Sequence, residues 1–243
     1  MLASVFGPTS RTLLGDLPSA RRRVVLDLGC GPGHTTAMLA AACPEADVIG
    51  IDASDAFVSE ATTSATARCR YQVADVTETP LPGAPADLIY ARFLVVHLPD
   101  PQAAMDGWAR QLAPGGVLVV EEPERIDTVD ADFRRYLELA SVVVGARGGD
   151  LYAGRLLADA PAPASTEMVL RRCVPLDVPA GMAATIFSLN LATWSDDPSV
   201  AAVAGPDETA ELAERLERRV NDRSTGVIGW WMRQLVCAAV VGS

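Results

Sequence analysis

The chain has 243 residues, of which 49% are hydrophobic, and a formal net charge of −11. This length can bury one sizeable core without a second domain, and the apolar fraction excludes a disordered chain. The acidic balance argues against binding nucleic acid, since the run Arg21–Arg23 alone makes no basic stripe. We expect no membrane partner, because no apolar run reaches the length of a membrane span. The N-terminus lacks a signal pattern, so we expect a cytoplasmic protein.

Cysteine and histidine usage predicts the absence of a metal site. The five cysteines are scattered without a C-x-x-C pair, and the two histidines are His34 and His97. Structural and catalytic zinc sites need clustered Cys and His ligands. We therefore expect reduced, buried thiols and no bound metal.

The first half of the chain alternates short apolar runs with helical patterns. In chain order, the predicted elements are a helix over residues 8–20, strand one at Val24–Leu28, a helix at His34–Ala42, strand two at Asp47–Asp52, a helix at Ala53–Thr66 capped by Ser54, strand three at Arg70–Ala74, strand four at Ala86–Ala91, a helix at Asp100–Gln111 and strand five at Val117–Glu121. Such alternation predicts a mainly parallel sheet.

The second half adds helices before and between two further strands. The predicted elements are helices at Asp132–Gly145 and Asp150–Asp159, strand six at Thr166–Val178, helices at Ala180–Trp194 and Glu208–Asn221, and strand seven at Gly226–Val240. The expected fold is therefore α/β: a doubly wound, mainly parallel seven-stranded sheet with helices on both faces. Insertions after strand five and before strand seven would form a helical lid.

The pattern predicts a single domain over residues 1–243. Its core would comprise residues 20–123, 165–178 and 226–241, and its lid residues 130–160 and 180–222. Insertions at the carboxyl end of an open α/β sheet lie over the ligand crevice, which favours a lid that shapes a substrate pocket. The alternative is that these helices only cover the sheet or form the face of a homodimer.

A glycine-rich turn follows strand one. Gly29, Gly31 and Gly33 come two, four and six residues after Asp27, and strand two ends at Asp52. Glycines let the backbone approach a ligand that a Cβ would block. An acid before the loop opposes a pyrophosphate but suits a cationic amine, and Asp52 stands where a ribose diol would lie. The pattern predicts a nucleoside-binding βαβ unit.

These residues resemble motif I of the class I S-adenosylmethionine (SAM)-dependent methyltransferases, D-x-G-x-G-x-G, in its small-molecule type. Later stretches extend the resemblance over about residues 1–123: Val73–Val76 at the end of strand three, Asp87–Ala91 in strand four, His97–Asp100 after it and Leu112–Leu118 before strand five. The resemblance implies SAM as the cofactor.

The resemblance also implies a set of cofactor contacts. Asp27 would face the SAM ammonium, Asp52 the ribose diol and Asp75 the adenine amino group. Hydroxyls of Thr35 or Thr36 would reach the methionine carboxylate at a helix N-terminus, which favours anions. The cofactor-binding candidates are Asp27, Gly29, Cys30, Gly31, Gly33, Thr35, Asp52, Ala53, Asp75, Val76, Ala91 and Arg92. Three alternatives stay open: Asp27 only binds loop amides, Asp52 caps a helix, and Asp75 is a turn acid.

Three residues are candidate catalytic bases. His97 lies shortly after strand four, and histidine suits deprotonation of an acceptor near neutral pH, although a structural role is the alternative. Glu121 and Glu122 lie at the end of strand five and are the alternative candidate bases to His97. Arg92 could instead bind an acceptor carboxylate or pair with an acid. For the tryptophans Trp194, Trp230 and Trp231, lining of an apolar acceptor pocket competes with core packing.

The predicted activity is transfer of a methyl group from SAM to an O, N or C atom of a small-molecule metabolite, in biosynthetic tailoring. Two alternatives remain. One is non-methyl SAM chemistry, by aminocarboxypropyl transfer or cyclisation of SAM, and the other is a non-catalytic SAM-binding protein.

Overall fold

The computed structural model describes residues 2–18, 20–221 and 226–240. Its strands are β1 (Val24–Leu28), β2 (Asp47–Asp52), β3 (Cys69–Val73), β4 (Ala86–Arg92), β5 (Leu112–Asp127), β6 (Thr166–Pro179) and β7 (Val227–Ala239). They form a sheet of order β3-β2-β1-β4-β5-β7-β6. Strands β1 to β5 pair in parallel, and β7 runs antiparallel to both of its neighbours. The predicted seven-stranded, mainly parallel sheet is confirmed.

Eight α-helices occupy the described part of the chain. They are α1 (Leu2–Gly15), α2 (His34–Ala42), α3 (Asp55–Thr62), α4 (Pro101–Ala109), α5 (Ala131–Ala146), α6 (Ala180–Trp194), α7 (Pro198–Ala201) and α8 (Pro206–Asn221), with 3₁₀ turns at Val95–His97 and Ala153–Arg155. Among these described helices, none is long and apolar enough to cross a membrane.

Apolar layers cover both faces of the sheet. On one face Leu13 of α1 and Leu39 of α2 pack on β1 and β4, and on the other Trp108 of α4 does so. Strand residues such as Leu26 and Val25 are fully buried, as expected for parallel strands enclosed on both faces. The doubly wound architecture follows from this two-sided burial.

The strand order reverses between β1 and β4, which opens a crevice at their carboxyl ends. Strand β1 pairs with β2 on one side and with β4 on the other. Ligands of open α/β sheets bind at such a switch point. The glycine loop after β1 and Arg92 at the end of β4 therefore lie at the edge of the sheet where a cofactor is expected.

A third apolar cluster joins α5, α6 and α8 to the far end of the sheet. It contains Phe133 of α5, Phe187 of α6 and Leu212 of α8, together with Ile126 and Trp230 of the paired β5 and β7. Its position next to the carboxyl end of β5 accords with a lid, which remains a prediction together with the domain bounds.

Some predicted elements were wrong in extent or kind. The first helix begins at Leu2 instead of residue 8, and α3 ends at Thr62 instead of Thr66. Hydroxyls of Thr63 and Ser64 bind main-chain carbonyls three residues back, which ends α3 in a turn. The helix predicted over Asp150–Asp159 is a 3₁₀ turn.

Candidate cofactor and active site

The glycine loop has a backbone that needs glycine at three positions. Gly29, Gly31 and Gly33 have φ of +65°, +51° and +86°. A Cβ on Gly33 would lie 2.6 Å from the Tyr71 hydroxyl, and one on Gly29 would lie 2.9 Å from Leu94 Cδ1. A Cβ on Gly31 would meet no heavy atom within 4 Å, so the middle of the loop borders open space. A ligand can approach the main chain there.

Asp52 ties the glycine loop to the end of β2. Its Oδ2 accepts a hydrogen bond from the Gly31 amide at 2.9 Å, and its Oδ1 accepts one from the Ser54 amide at 2.9 Å. The cap of α3 is Ser54, whose hydroxyl accepts from the Phe57 amide. Each carboxylate oxygen keeps a second lone pair for a ligand. The arrangement thus suits a ribose diol bound beside the loop.

Asp27 is buried beneath the loop. Its Oδ2 accepts a hydrogen bond from the Thr36 hydroxyl at 2.6 Å. Burial raises the pKa of this carboxyl to about 7; the Thr36 hydrogen bond and the Arg92 charge oppose the rise, and Asp52 adds to it. A carboxylate that is costly to ionise would be stabilised by a nearby cationic ammonium. The Thr36 hydroxyl is therefore engaged by Asp27, which leaves Thr35 as the hydroxyl of this turn that can reach an anion.

Arg92 is a buried cation held by two hydroxyls. Its Nη1 donates to Ser10 Oγ at 3.0 Å and its Nη2 donates to Thr35 Oγ1 at 2.7 Å. In the described residues no acid forms an ion pair with it directly. Thr35 lies in the first turn of α2, where the helix dipole also favours negative charge. This corner of the site favours an anion.

Glu121 lies at the centre of a buried hydrogen-bond network. Its Oε2 accepts from the hydroxyls of Ser10 and Tyr90, and its Oε1 accepts from the Gln234 side-chain amide. Burial and the Glu121 charge raise the pKa of Tyr90. The Ser10 hydroxyl also accepts from Arg92, so Glu121 neutralises Arg92 through an intervening residue. This geometry favours a structural role for Glu121.

Glu122 faces the opposite side of β5 and holds the turn that follows β4. Its Oε1 accepts from the amides of Leu94 and Val95 at 2.8 and 2.7 Å, and its Oε2 is buried without a partner. Burial raises the pKa of this carboxyl to about 8, against the lowering effect of the backbone hydrogen bonds. At neutral pH Glu122 is therefore mainly protonated, which is unfavourable for a general base.

His97 ends the 3₁₀ turn and is exposed at the rim of the site. Desolvation lowers the pKa of its ring and the Arg147 guanidinium lowers it further, while the Asp52 charge raises it. The imidazole is therefore neutral near pH 7, the state that a base requires. His97 lies five residues after the end of β4, on the side of the sheet where the strands' carboxyl ends lie.

The other predicted contacts are spread around this centre. Cys30 donates its amide to the Ile51 carbonyl at 3.0 Å, and Ala53 is exposed beside Asp52. Ala91 is fully buried, and the Val76 carbonyl accepts from the Trp108 indole at 2.7 Å.

Asp75 is exposed, and its Oδ1 accepts from the amide and hydroxyl of Thr77, which lowers its pKa. These hydrogen bonds are those expected of a turn acid. An adenine contact would have to use its other oxygen.

Four residues of this region are absent from the sequence-based candidates: Ser10, Tyr90, Phe93 and Gln234. Ser10 lies on α1, where one serine in a helical pattern gives no signal for long-range contact. Phe93 has φ of +56° and follows Arg92 directly. A bulky residue in this strained conformation often marks a functional site, but the sequence does not reveal the angle.

A cavity of about 660 Å³ lies between the end of β5 and one face of α5. Its lining residues are Ile126, Asp127, Thr128, Val129, Arg134, Leu137, Glu138, Ser141, Tyr152 and Val227. Among the described residues, none of the glycine loop contributes to this lining. The cavity is therefore not part of the cofactor crevice.

The sheet order, the glycine loop and the acids at the switch point define a Rossmann-like protein that binds a nucleoside cofactor. Comparison with known proteins narrows this class. Residues 25–116 match the family described as "Methyltransferase domain". The structure superposes on coclaurine N-methyltransferase, bound to N-methylheliamine and SAH, with a TM-score of 0.57 and 15% identity, covering 98% of this chain and 72% of that one. The chain therefore has the class I SAM-dependent methyltransferase fold.

Two relatives share more sequence. Trans-aconitate 2-methyltransferase from Methylobacterium radiotolerans is 37% identical over 59% of this chain and 55% of its own length. The enzyme of the same name from Azoarcus sp. (strain BH72) is 37% identical over 49% of this chain and 46% of its own length. The chain thus spans about half the length of these relatives.

Proposed function

We propose that this protein is a methyltransferase that moves a methyl group from SAM to an O, N or C atom of a small-molecule metabolite. One observation carries the proposal: the open glycine loop at Gly31 lies between a buried acid, Asp27, and a carboxylate at the end of β2, Asp52. A loop with acids on both sides suits a ligand with a cationic amine and a ribose, and opposes a pyrophosphate.

The chain offers a complementary partner for each polar end of SAM. Asp52 would accept the ribose hydroxyls while it holds the loop through Gly31. Asp27 would stabilise the ammonium directly or through a water molecule. Arg92 and Thr35, a buried cation and a hydroxyl at a helix N-terminus, would bind the methionine carboxylate.

SAM supplies a methyl group on a sulfonium, a good leaving group, so the protein's main task is to align the acceptor with it. His97 is the best-placed base among the three candidates, because its ring is exposed at the rim and its pKa is lowered. Glu121 and Glu122 are engaged in buried hydrogen bonds. His97 would remove the acceptor proton where the acceptor carries one.

The names of the relatives support a small organic acceptor. Both are called trans-aconitate 2-methyltransferase. We further propose that the reaction belongs to biosynthetic tailoring in the cytoplasm, without a nucleic-acid or membrane partner. A homodimer remains a prediction.

The activity can be tested while the acceptor is still unidentified. The protein is incubated with SAM and a metabolite extract, and the products are analysed by mass spectrometry. A metabolite that gains one methyl unit, together with S-adenosylhomocysteine (SAH), is expected. Methylthioadenosine would instead indicate aminocarboxypropyl transfer or cyclisation, and unchanged SAM would indicate a binding protein.

A further inference from the structure

We infer that Tyr71 of β3 is a positioning residue for the cofactor, because its ring supports the end of the glycine loop and the Thr36 hydroxyl that binds Asp27. The inference rests on the proposed function, in which Asp27 stabilises the SAM ammonium. Three observations support it: the register of three neighbouring strands, the close approach of the ring to two glycines, and the hydrogen bond between Thr36 and Asp27.

Asp27, Gly50 and Tyr71 lie in one row across the sheet. Asp27 of β1 is the register partner of Gly50 of β2, and Gly50 is in turn the register partner of Tyr71 of β3. Residues of one such row point to the same face of a sheet. Because Gly50 has no side chain, the row has a gap between the Asp27 carboxylate and the Tyr71 ring.

The Tyr71 ring and the Thr36 hydroxyl both occupy the gap at Gly50. A Cβ on Gly50 would lie 2.6 Å from Tyr71 Cδ1 and 2.8 Å from Thr36 Oγ1, which is too close for either atom to stay in place. Glycine inside a strand costs conformational entropy, and it often marks the close approach of another group. Gly50 thus gives the ring of β3 and the hydroxyl of α2 one shared space.

The hydroxyl end of the same ring contacts the end of the glycine loop. Gly33, which precedes α2, has φ of +86°, and a Cβ there would lie 2.6 Å from the Tyr71 hydroxyl oxygen. This hydroxyl donates a long hydrogen bond of 3.5 Å to the Gly33 carbonyl. The same carbonyl accepts from the Ala37 amide at 3.0 Å in the first turn of α2. Tyr71 therefore contacts the point where the loop becomes a helix.

Thr36 connects the ring to the proposed ammonium site. Its side chain is fully buried, and its hydroxyl donates to Asp27 Oδ2 at 2.6 Å. Removal of the Tyr71 ring would leave room for the Thr36 side chain to turn away from Asp27. A charged group binds its ligand best when a supporting hydrogen bond fixes its orientation, so the Asp27 carboxylate would then bind the ammonium less tightly.

Two ligands make this role measurable. SAH carries the ammonium and the carboxylate, whereas methylthioadenosine has the same adenine and ribose without either charged group. Tyr71→Ala should weaken SAH binding roughly tenfold, the scale of one hydrogen bond to a charged group, and methylthioadenosine binding less than about twofold. Calorimetric titration measures the SAH affinity, and displacement of SAH measures the affinity for methylthioadenosine.

Two further variants separate the ring from its hydroxyl and from Gly50. Tyr71→Phe keeps the ring and loses only the long hydrogen bond, so its SAH affinity should stay within about twofold of the native value. Gly50→Ala keeps Tyr71 but adds the methyl group that crowds the ring and Thr36. It should weaken SAH more than methylthioadenosine, and it replaces Tyr71→Ala as the test if that variant does not fold.

Gln72→Ala is the matched control. Gln72 is the exposed neighbour of Tyr71 on β3, and successive strand residues point to opposite faces of the sheet. This variant should leave both affinities unchanged.

The outcomes separate the inference from the proposed function. Equal weakening of both ligands by Tyr71→Ala would show a general structural role and overturn the inference alone. Unchanged SAH affinity in Tyr71→Ala or in Gly50→Ala would also overturn it. Absence of SAH binding to the native protein would overturn the proposed function and the inference together.

Discussion

At the residue scale, the Asp52 carboxylate holds the glycine loop and is also the proposed acceptor for the ribose hydroxyls. If it accepts the ribose hydroxyls, Asp52→Ala should weaken SAH binding by about 2–3 kcal/mol, the scale of hydrogen bonds to a charged group. The same substitution releases the Gly31 and Ser54 amides, so the melting temperature should also fall by a few degrees. Calorimetry and thermal denaturation measure the two effects.

Asp55→Ala is the control for this substitution, because Asp55 is exposed in the first turn of α3. It should leave the dissociation constant of SAH unchanged. If Asp52→Ala also left the SAH dissociation constant unchanged, the role of Asp52 would be limited to holding the Gly31 and Ser54 amides.

His97 tests whether the reaction needs a base. If His97 takes the acceptor proton, His97→Ala should lower the rate of methyl transfer by roughly 10²–10⁴-fold with SAM affinity unchanged. The loss should shrink at high pH, where the acceptor ionises by itself. SAH release at several pH values measures this profile.

The second histidine, His34 at the start of α2, provides the matched variant His34→Ala. Glu121→Gln and Glu122→Gln run in parallel. A rate loss confined to one glutamine variant would move the base to β5. Unchanged rates in His97→Ala, Glu121→Gln and Glu122→Gln would mean that the reaction needs alignment of the acceptor and no general base.

Glu122 predicts a pH dependence of stability. Burial raises its pKa from 4.5 to about 8, so the folded chain binds a proton that the unfolded chain has already lost. The free energy of unfolding therefore falls as pH rises through this window, and the penalty is complete above it. Glu122→Gln should reduce this slope by up to about 1.4 kcal/mol per pH unit.

Denaturant unfolding between pH 5 and 8 measures the slope. Asp27, whose pKa is raised to about 7, contributes in the same direction, so part of the slope should persist in the variant. An unaltered slope would show that Glu122 is ionised in the folded protein.

At the scale of elements, the predicted bounds held where local pattern and tertiary structure agree. Strands β1 and β2 and helices α2 and α6 match the prediction residue for residue. Segment 150–159 departs from it because tertiary contacts prevail over propensity. The Asp150 amide binds the Val96 carbonyl, and Gly154 lies against the Pro123 carbonyl. These long-range contacts leave no trace in the local sequence.

The candidate site shows the same division. The glycines and Asp52 follow from spacing, because the carboxyl ends of neighbouring parallel strands meet at one edge. The hydrogen-bond network around Glu121 does not follow from sequence spacing. Its other members, Ser10, Tyr90 and Gln234, are far apart in sequence and look like ordinary helix and strand residues.

Helix α1 is anchored to the site by Ser10, which is fully buried. Its hydroxyl donates to Glu121 and accepts from Arg92. Ser10→Ala should lower the free energy of unfolding by about 1–3 kcal/mol, because it leaves buried polar groups unpaired. It should also weaken SAH binding, because Arg92 loses one of its two supports.

Thr12→Ala on the same helix is the comparison, since its hydroxyl donates only to the Pro8 carbonyl at an exposed position. Stability follows from denaturant unfolding and affinity from calorimetry. Equal effects of the two variants would contradict a special role for the Ser10 contacts.

At the scale of the whole molecule, the segment that matches the methyltransferase domain is followed by further helices and by strands β6 and β7. The match to the methyltransferase domain covers residues 25–116, which hold the glycine loop, Asp52 and His97. The helices predicted to form the lid lie beyond it, and ion pairs such as Arg135–Glu208 and Arg215–Asp132 join α5 to α8. Acceptor choice is therefore expected to reside in the second half and cofactor choice in the first.

Calorimetric titration with SAH and with NAD tests the central claim most directly. The loop spacing and the buried Asp27 predict that SAH binds and that NAD, which carries a pyrophosphate, does not. Tighter binding of NAD than of SAH would contradict the proposed cofactor site and the function built on it.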